Sequence, residues 1–142
     1  YLIRCINYRH NKAMKVLKEE MILNCSAKEL WNILSDVSRC DWVPSVEEIR
    51  IEGDYRVFEM EGMGAVKEQI ILNDSNQMKL QYSAIETRTP INHHLATMHV
   101  SHIGENTCNF SWTTEIDPEI FADAIHQGMM ISIDGIKKVI CN

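Results

Sequence analysis

The sequence lacks the features that mark several large classes of protein. No apolar run approaches the roughly 20 residues that a helix needs to cross a bilayer, and the start of the chain has no apolar segment typical of a signal peptide. No G-x-G-x-x-G or P-loop pattern is present. Gly62 and Gly64 open onto a strand, so they cannot present a helix N-terminus to a phosphate. Basic residues are outnumbered, 14 against 20 acidic ones, and the net charge of −6 disfavours nucleic acids and anionic membranes as partners.

The cysteines also lack the spacing of a disulfide framework or a structural zinc site. They are odd in number, widely separated and without a C-x-x-C pair, whereas such frameworks use paired, closely spaced cysteines. We therefore expect reduced, mostly buried thiols and a cytoplasmic location, and no motif indicates a cofactor. The five positions are Cys5, Cys25, Cys40, Cys108 and Cys141.

The chain is long enough for one domain with a substantial core. It has 142 residues, of which 45% are hydrophobic and 24% charged, and these proportions are ordinary for a globular protein. Met14 would make a natural start. We therefore expect residues 1–13 to be an extension or expression-derived residues without a function, and residues 14–142 to form the domain.

The order of the predicted elements is the most informative feature of the chain. A short capped helix comes early, strand-like runs follow without an intervening helix, and one long helix ends the chain. Hairpin-length links such as Gly53-Asp54, which suits a type II′ turn, require antiparallel neighbours. The sequence predicts an α+β helix-grip fold, in which a curved antiparallel sheet of about seven strands surrounds the long terminal helix and one or two short helices follow the first strand. Period-two alternation places the strands at 15–24, 46–52, 55–61, 65–72, 78–85, 91–103 and 107–116.

Local signals mark where both helices begin. Ser26 and Glu29 form a capping box, and Asp117 followed by Pro118 predicts the N-cap of the terminal helix. Gly128 and Gly135 fall on nearly the same face of that helix. Since each glycine costs about 0.8–1 kcal/mol relative to alanine, we expect that face to need space for a close strand or a ligand.

Several short segments carry a resemblance to a known family, namely 25–31 (CSAKELW), 42–44 (WVP), 60–68 (MEGMGAVKE), 80–82 (LQY) and 117–118 (DP). Through these segments the chain resembles the START / Bet v 1-like (SRPBCC) superfamily, and most of all its polyketide cyclase/dehydrase and lipid-transport branch. The resemblance implies a helix-grip fold with a deep cavity between the sheet and the C-terminal helix. Members carry lipids, sterols, plant hormones or polyketides, and only some of them catalyse a reaction.

Glu68 is the strongest candidate for a functional residue. It alternates in register with Val66, Ile70 and Leu72, so an inward-facing strand would place its carboxylate in an apolar wall. An unpaired buried carboxylate is costly. Two interpretations remain open: Glu68 pairs with a buried arginine or a backbone amide, or it contacts a ligand. In some hormone-binding members of the superfamily, a glutamate at the matching strand position lines the pocket.

The histidine-rich strand looks like a metal site until its spacing is considered. At about 3.3 Å per residue, His93 and His99 lie roughly 20 Å apart on one face, and His94 and His102 roughly 26 Å apart. We therefore predict no metal site. His94 shares its face with Met98 and is the best candidate for an inward imidazole, although a satisfied or rim histidine is the simpler interpretation.

We expect the protein to bind a hydrophobic or amphipathic small molecule, such as a lipid, a polyketide or an aromatic compound. Two alternatives stay open: a cyclase or dehydratase with Glu68 or His94 as its acid/base, and a ligand-gated interaction module whose 86–90 loop acts as a lid. In the predicted pocket, polar groups orient the ligand and apolar ones exclude water. Its residues are Glu68, Tyr82, His94, Met98, Trp112, Phe121, Ile125 and Met129.

Overall fold

A computed structural model of the chain describes residues 14–140. The predictions about residues 1–13, Cys5 and Cys141 lie outside the described residues. Seven strands form one sheet in the order β1-β7-β6-β5-β4-β3-β2, and every neighbouring pair is antiparallel. The strands are β1 Lys15–Leu23, β2 Ile49–Glu52, β3 Tyr55–Met60, β4 Gly64–Asp74, β5 Lys79–Glu86, β6 His93–Gly104 and β7 Thr107–Asp117.

The sheet confirms the predicted fold class and most of the predicted turns. Glu52 pairs with Tyr55 across a two-residue turn. Gly53 has a positive φ of 63° there, which glycine adopts without steric cost. The second strand is shorter than predicted, since regular pairing begins only at Ile49.

The first helix, α1 (Ala27–Ser35), begins where the capping box predicts. The Ser26 hydroxyl accepts a hydrogen bond from the Glu29 N–H at 3.1 Å, which satisfies one of the free donors of the first turn. Leu30, Trp31 and Leu34 are buried on one face of α1. This face joins the main core.

The predicted N-cap at Asp117 is wrong. Asp117 is the last residue of β7, is paired with His93, and accepts a hydrogen bond from the Asn92 N–H at 2.8 Å. The N-cap position of the turn that follows is Pro118, one residue later than predicted. A 3₁₀ turn (Glu119–Phe121) follows, and the long helix α2 spans Ala122–Ile140.

The core lies between the concave face of the sheet and the helices. Alternate residues of β5, β6 and β7, such as Leu80, Met98 and Phe110, are at most 1% exposed. They pack in one cluster with Ile133 and Ile136 of α2. The opposite face of the sheet carries exposed apolar side chains, among them Ile22, Ile71 and Ile103. No helix within residues 14–140 is long and apolar enough to cross a membrane.

The free thiols agree with the cysteine prediction for the part of the chain that is described. Cys25 and Cys108 are buried, Cys40 is half-buried, and all three are free. The Sγ atoms of Cys25 and Cys108 lie 3.9 Å apart. Burial raises the pKa of both thiols, that of Cys108 to about 12, so both remain protonated and poorly nucleophilic.

The two helix glycines have different surroundings, and only one of them fulfils the expectation of a close approach. A Cβ at Gly135 would lie 2.0 Å from the carbonyl oxygen of Trp42, so the close neighbour of α2 at this residue is the loop between α1 and β2 and not a strand. A Cβ at Gly128 would meet nothing within 4 Å. The loop backbone therefore fixes α2 at Gly135.

The two glycines provide a matched pair of substitutions. We expect Gly135→Ala to lower the free energy of unfolding by about 1–3 kcal/mol, because the loop backbone has to move. Gly128→Ala should raise it by about 0.5–1 kcal/mol through helix propensity alone. Urea denaturation of both variants measures the difference. Equal effects in the two variants would show that the Trp42 contact does not constrain α2.

Candidate functional site

A buried ion pair lies on the concave face of the sheet. Arg56 of β3 is directly opposite Glu68 of β4 in the strand register, and the Arg56 Nε donates to Glu68 Oε1 at 2.7 Å. The two side chains are only 8% and 12% exposed. Glu68 therefore faces inward, and the interpretation in which it pairs with a buried arginine is the one observed.

Arg56 also joins two other parts of the structure. Its guanidinium carbon lies 4.5 Å from the centre of the Tyr82 ring, a distance at which a cation is attracted to an aromatic face. Its Nη1 donates to the carbonyl oxygen of Val37 at 3.5 Å. One buried cation thus contacts β4, β5 and the loop that follows α1.

Tyr82 lies under this cation with its phenol protonated. The side chain belongs to the main core cluster and is 7% exposed. Burial raises the pKa of Tyr82 far above its ordinary value, and the negative charge of Glu68 raises it further, while Arg56 opposes the change. The hydroxyl is therefore available as a neutral hydrogen-bonding group.

His94 has a fixed tautomer. Its Nδ1 accepts a hydrogen bond from the Ala84 N–H at 2.9 Å, so the ring proton is on Nε2. Burial lowers the pKa of His94, with Glu68 opposing this change and His93 adding to it. The ring lies 6.1 Å from that of Tyr82. His94 thus presents an Nε2–H donor, with no partner among residues 14–140, on the same face as Tyr82.

The other strand histidines lie away from this group. His93 is on the opposite face and its Nε2 lies 3.1 Å from Glu115 Oε1. Within residues 14–140, no three His, Cys, Asp or Glu side chains are placed to hold a metal ion.

The apolar residues of the predicted pocket fill its centre. Met98 is 0% exposed, Trp112 5% and Met129 3%, and all belong to one cluster. A side chain that lined a water-sized void would keep accessible surface, so these three have almost no space beside them. Ile125 is half-buried against the same cluster. Phe121 lies in the 3₁₀ turn and is half-buried.

Open recesses are found elsewhere on the molecule. One of about 630 Å³ lies beside β3, and one of about 180 Å³ lies beside β4. Neither is lined by a residue of the predicted pocket. The expectation of an open void is thus corrected around Met98, Trp112 and Met129, where the structure is closed and a ligand would have to displace side chains. The larger recess is lined by Pro44, Ser45, Glu47, Glu48, Arg50, Val57, Phe58, Glu59 and Glu61.

Two residues of this region were missed by the sequence analysis. Arg56 could have been found, because a turn that places Met60 opposite Gly64 also places Arg56 opposite Glu68. Trp42 gave no such signal, since it lies in an irregular loop. Its ring is 6.5 Å from that of Trp112 in an edge-on arrangement.

The loop at 86–90 contacts a neighbouring turn. A Cβ at Gly64 would lie 3.2 Å from Nη2 of Arg88, so the Arg88 side chain lies against the start of β4. Gly64 has a positive φ of 79°, a second reason for glycine at this position. The role of this loop as a lid stays a prediction.

The ion pair can be tested by a double-mutant cycle. We expect Arg56→Met and Glu68→Met each to lower the free energy of unfolding by about 3–5 kcal/mol, because each leaves one buried charge unpaired. The double variant should be more stable than either single variant, since both charges are removed. Denaturant titration of the four proteins gives the coupling energy. Additive losses would mean that the two side chains do not interact.

The lowered pKa of His94 predicts a pH dependence of stability. Because the native pKa lies below the ordinary 6.5, the unfolded chain takes up this proton first as the pH falls. The stability that the buried, neutral His94 ring contributes is therefore complete above pH 6.5 and is lost as the pH falls below it. His94→Gln should therefore flatten the stability curve between pH 7 and 5.5, as measured by thermal unfolding. His99→Gln, an exposed position on the same strand, serves as the control, and equally flat curves would contradict this assignment.

The sequence matches one protein family over most of its length. Residues 14–133 match the family described as polyketide cyclase / dehydrase and lipid transport. No curated protein sequence matches the chain.

Solved structures with the same fold span nearly the whole chain. An uncharacterised protein from Bacillus thuringiensis superposes with a TM-score of 0.81 at 16% identity, covering 90% of this chain and 100% of that one. Norcoclaurine synthase from Thalictrum flavum, in complex with dopamine and hydroxybenzaldehyde, gives 0.72 at 21% identity, covering 94% and 91%. The Zhui aromatase/cyclase from Streptomyces sp. R1128 gives 0.73 at 13% identity, covering 88% and 92%. The chain therefore belongs to the polyketide cyclase/dehydrase and lipid-transport family and has the Bet v 1-like helix-grip fold.

Proposed function

We propose that this protein binds a hydrophobic or amphipathic small molecule between the sheet and α2. Its family and fold support ligand binding or polyketide cyclase-type chemistry in general. The observation that carries the proposal is the group of Arg56, Glu68, Tyr82 and His94 on a mostly apolar face. Burial of polar groups costs stability, and a few convergent polar groups in an apolar site are typical of ligand recognition.

The polar end of the ligand would lie at Glu68, Tyr82 and His94. Among these groups, His94 Nε2 has no partner within the described part of the chain, whereas the Glu68 carboxylate is engaged by Arg56. The apolar part would pack against Trp112 and Met129.

Binding requires rearrangement, because the centre of the site is closed. Met98 and Met129 are buried there. Methionine side chains are unbranched and adopt alternative rotamers at low cost, so they adapt to an incoming apolar group. We expect the protein to accept ligands of differing shape, with affinity limited by the cost of displacing these side chains.

A blocking substitution tests the location of the site. Native mass spectrometry of freshly purified protein, followed by titration with 2-acetylnaphthalene as a probe, measures binding. Ile125→Trp should weaken probe binding at least tenfold, because Ile125 is half-buried against the core and a larger side chain would occupy the ligand space. Ile131→Trp, at a position 44% exposed on the same helix, should bind as the wild type does. Equal affinity of the two variants would place the site elsewhere.

An enzymatic function of the cyclase or dehydratase type is the second candidate. It is favoured by the fixed tautomer of His94, whose Nε2–H could donate a hydrogen bond to an oxygen that gains negative charge in the reaction, within a mostly apolar site. In a carrier, His94→Gln would change affinity alone. In an enzyme, the same variant would lose about 10²-fold or more in turnover of a polyketide-like substrate while still binding it.

A further inference from the structure

The two edges of the sheet differ in how they are protected against pairing with another chain. Strand β2 forms one edge and has only four residues. Strand β1 forms the other edge and pairs with β7 over nine residues in regular register. Proteins usually protect an edge strand by making it short, by a bulge, by proline or by charged side chains. Of these devices, β1 carries only charged side chains.

The outer edge of β1 has no backbone partner within residues 14–140. Strand β7 is its one neighbour in the described sheet, and no backbone hydrogen bond of the described residues reaches its other side. The convex face of the same strand is also uncovered, since Val16 is 52% exposed and Ile22 is 63% exposed. A row of free N–H and C=O groups therefore lies beside two exposed β-branched side chains, which are favourable in strand pairing.

The order of side chains along this convex face is self-complementary. It runs from an apolar residue through a positive and a negative one to a second apolar residue, namely Val16, Lys18, Glu20 and Ile22. If two copies of β1 pair antiparallel about Glu19, Val16 of one copy lies opposite Ile22 of the other, and Lys18 lies opposite Glu20. Apolar pairs and pairs of opposite charge directly across two strands both stabilise a sheet.

The charges also select this register over its neighbours. Sliding one copy by two residues would place Lys18 opposite Lys18, or Glu20 opposite Glu20, and like charges directly opposite each other are destabilising. In one chain, Lys18 Nζ and Glu20 Oε2 lie 3.5 Å apart, and both side chains are more than half exposed. The favoured register would therefore join four charges of alternating sign.

The concave side of β1 fits the same arrangement. Leu17 and Met21, which pack against the main core of their own chain, would lie opposite each other across the two copies. Glu19 would meet Glu19 of the second copy at the symmetry axis. Its carboxylate is engaged by its own chain, because Glu19 Oε1 lies 2.6 Å from His126 Nε2 of α2.

We propose that β1 is a dimer interface, at which it pairs antiparallel with β1 of a second copy and joins the two sheets into one. A single two-fold axis forms every cross-strand pair twice, which is the property of an isologous interface. Two strand edges bury less surface than a stable dimer usually does, so we expect a weak dimer whose population rises with protein concentration. This inference does not depend on the proposed function.

Charge reversal tests the interface by sedimentation equilibrium. The measurements use physiological salt, which screens the long-range repulsion between two chains of net charge −6. Lys18→Glu and Glu20→Lys should each weaken the dimer about tenfold or more, because both symmetry-related pairs become repulsive. The double variant, Lys18→Glu with Glu20→Lys, should restore the wild-type affinity. Lys138→Glu, an exposed position on α2, makes the same change in net charge and should have little effect.

A mixture of the two single variants gives the sharper result. Every charged pair across the interface is of opposite sign when a Lys18→Glu chain meets a Glu20→Lys chain. The mixture should therefore form a heterodimer at concentrations at which each variant alone is monomeric. A wild type that remains monomeric at the highest concentration would overturn the proposal, and so would a double variant as weak as the single ones.

Amide hydrogen exchange of the wild type identifies what covers the edge. The alternate amides of β1 that do not bond to β7 should become protected only as the protein concentration rises. Protection of these amides in the monomer would assign the edge to another segment of the same chain and overturn the proposal. A dimer in which they stay unprotected would place the interface elsewhere and overturn it as well.

Discussion

The ion pair between Arg56 and Glu68 is the constraint on which the concave face depends. Taking two charges out of water is favourable only if their geometry is good and their remaining groups are satisfied. The cross-strand register provides this geometry, and the ring of Tyr82 and the carbonyl of Val37 complete the surroundings of the guanidinium. The pair therefore fixes β3, β4 and the loop after α1 relative to one another, and it keeps a polar group inside an apolar wall.

Around this pair the interior is divided into two regions with different chemistry. The polar region offers a histidine of defined tautomer and a protonated phenol, and the apolar region is filled by side chains such as Met98 and Met129. A site of this kind is selective through the positions of its donors and permissive in the shape of its apolar part. That combination suits a family whose description includes both cyclases and lipid transport.

The fold was largely predictable, because local rules agreed with one another along the chain. Period-two alternation, the Gly53-Asp54 turn and the capping box at Ser26 all depend on nearby residues, and the structure confirms them. Non-local features were harder. The contact of Gly135 with the Trp42 backbone joins distant parts of the chain. Asp117 has a favourable cap sequence, but it is the last residue of β7 and pairs with His93.

The candidate site was predictable only in part, for the same reason. Alternation placed Glu68 inward, and a register argument would have supplied Arg56, but side-chain packing density cannot be read from a pattern.

The close contact at Gly135 fixes the C-terminal half of α2 against the loop after α1. The Trp42 backbone leaves no room at Gly135 for that half to shift, so we expect a rearrangement of the interior to displace the N-terminal half of α2 and not its C-terminal half.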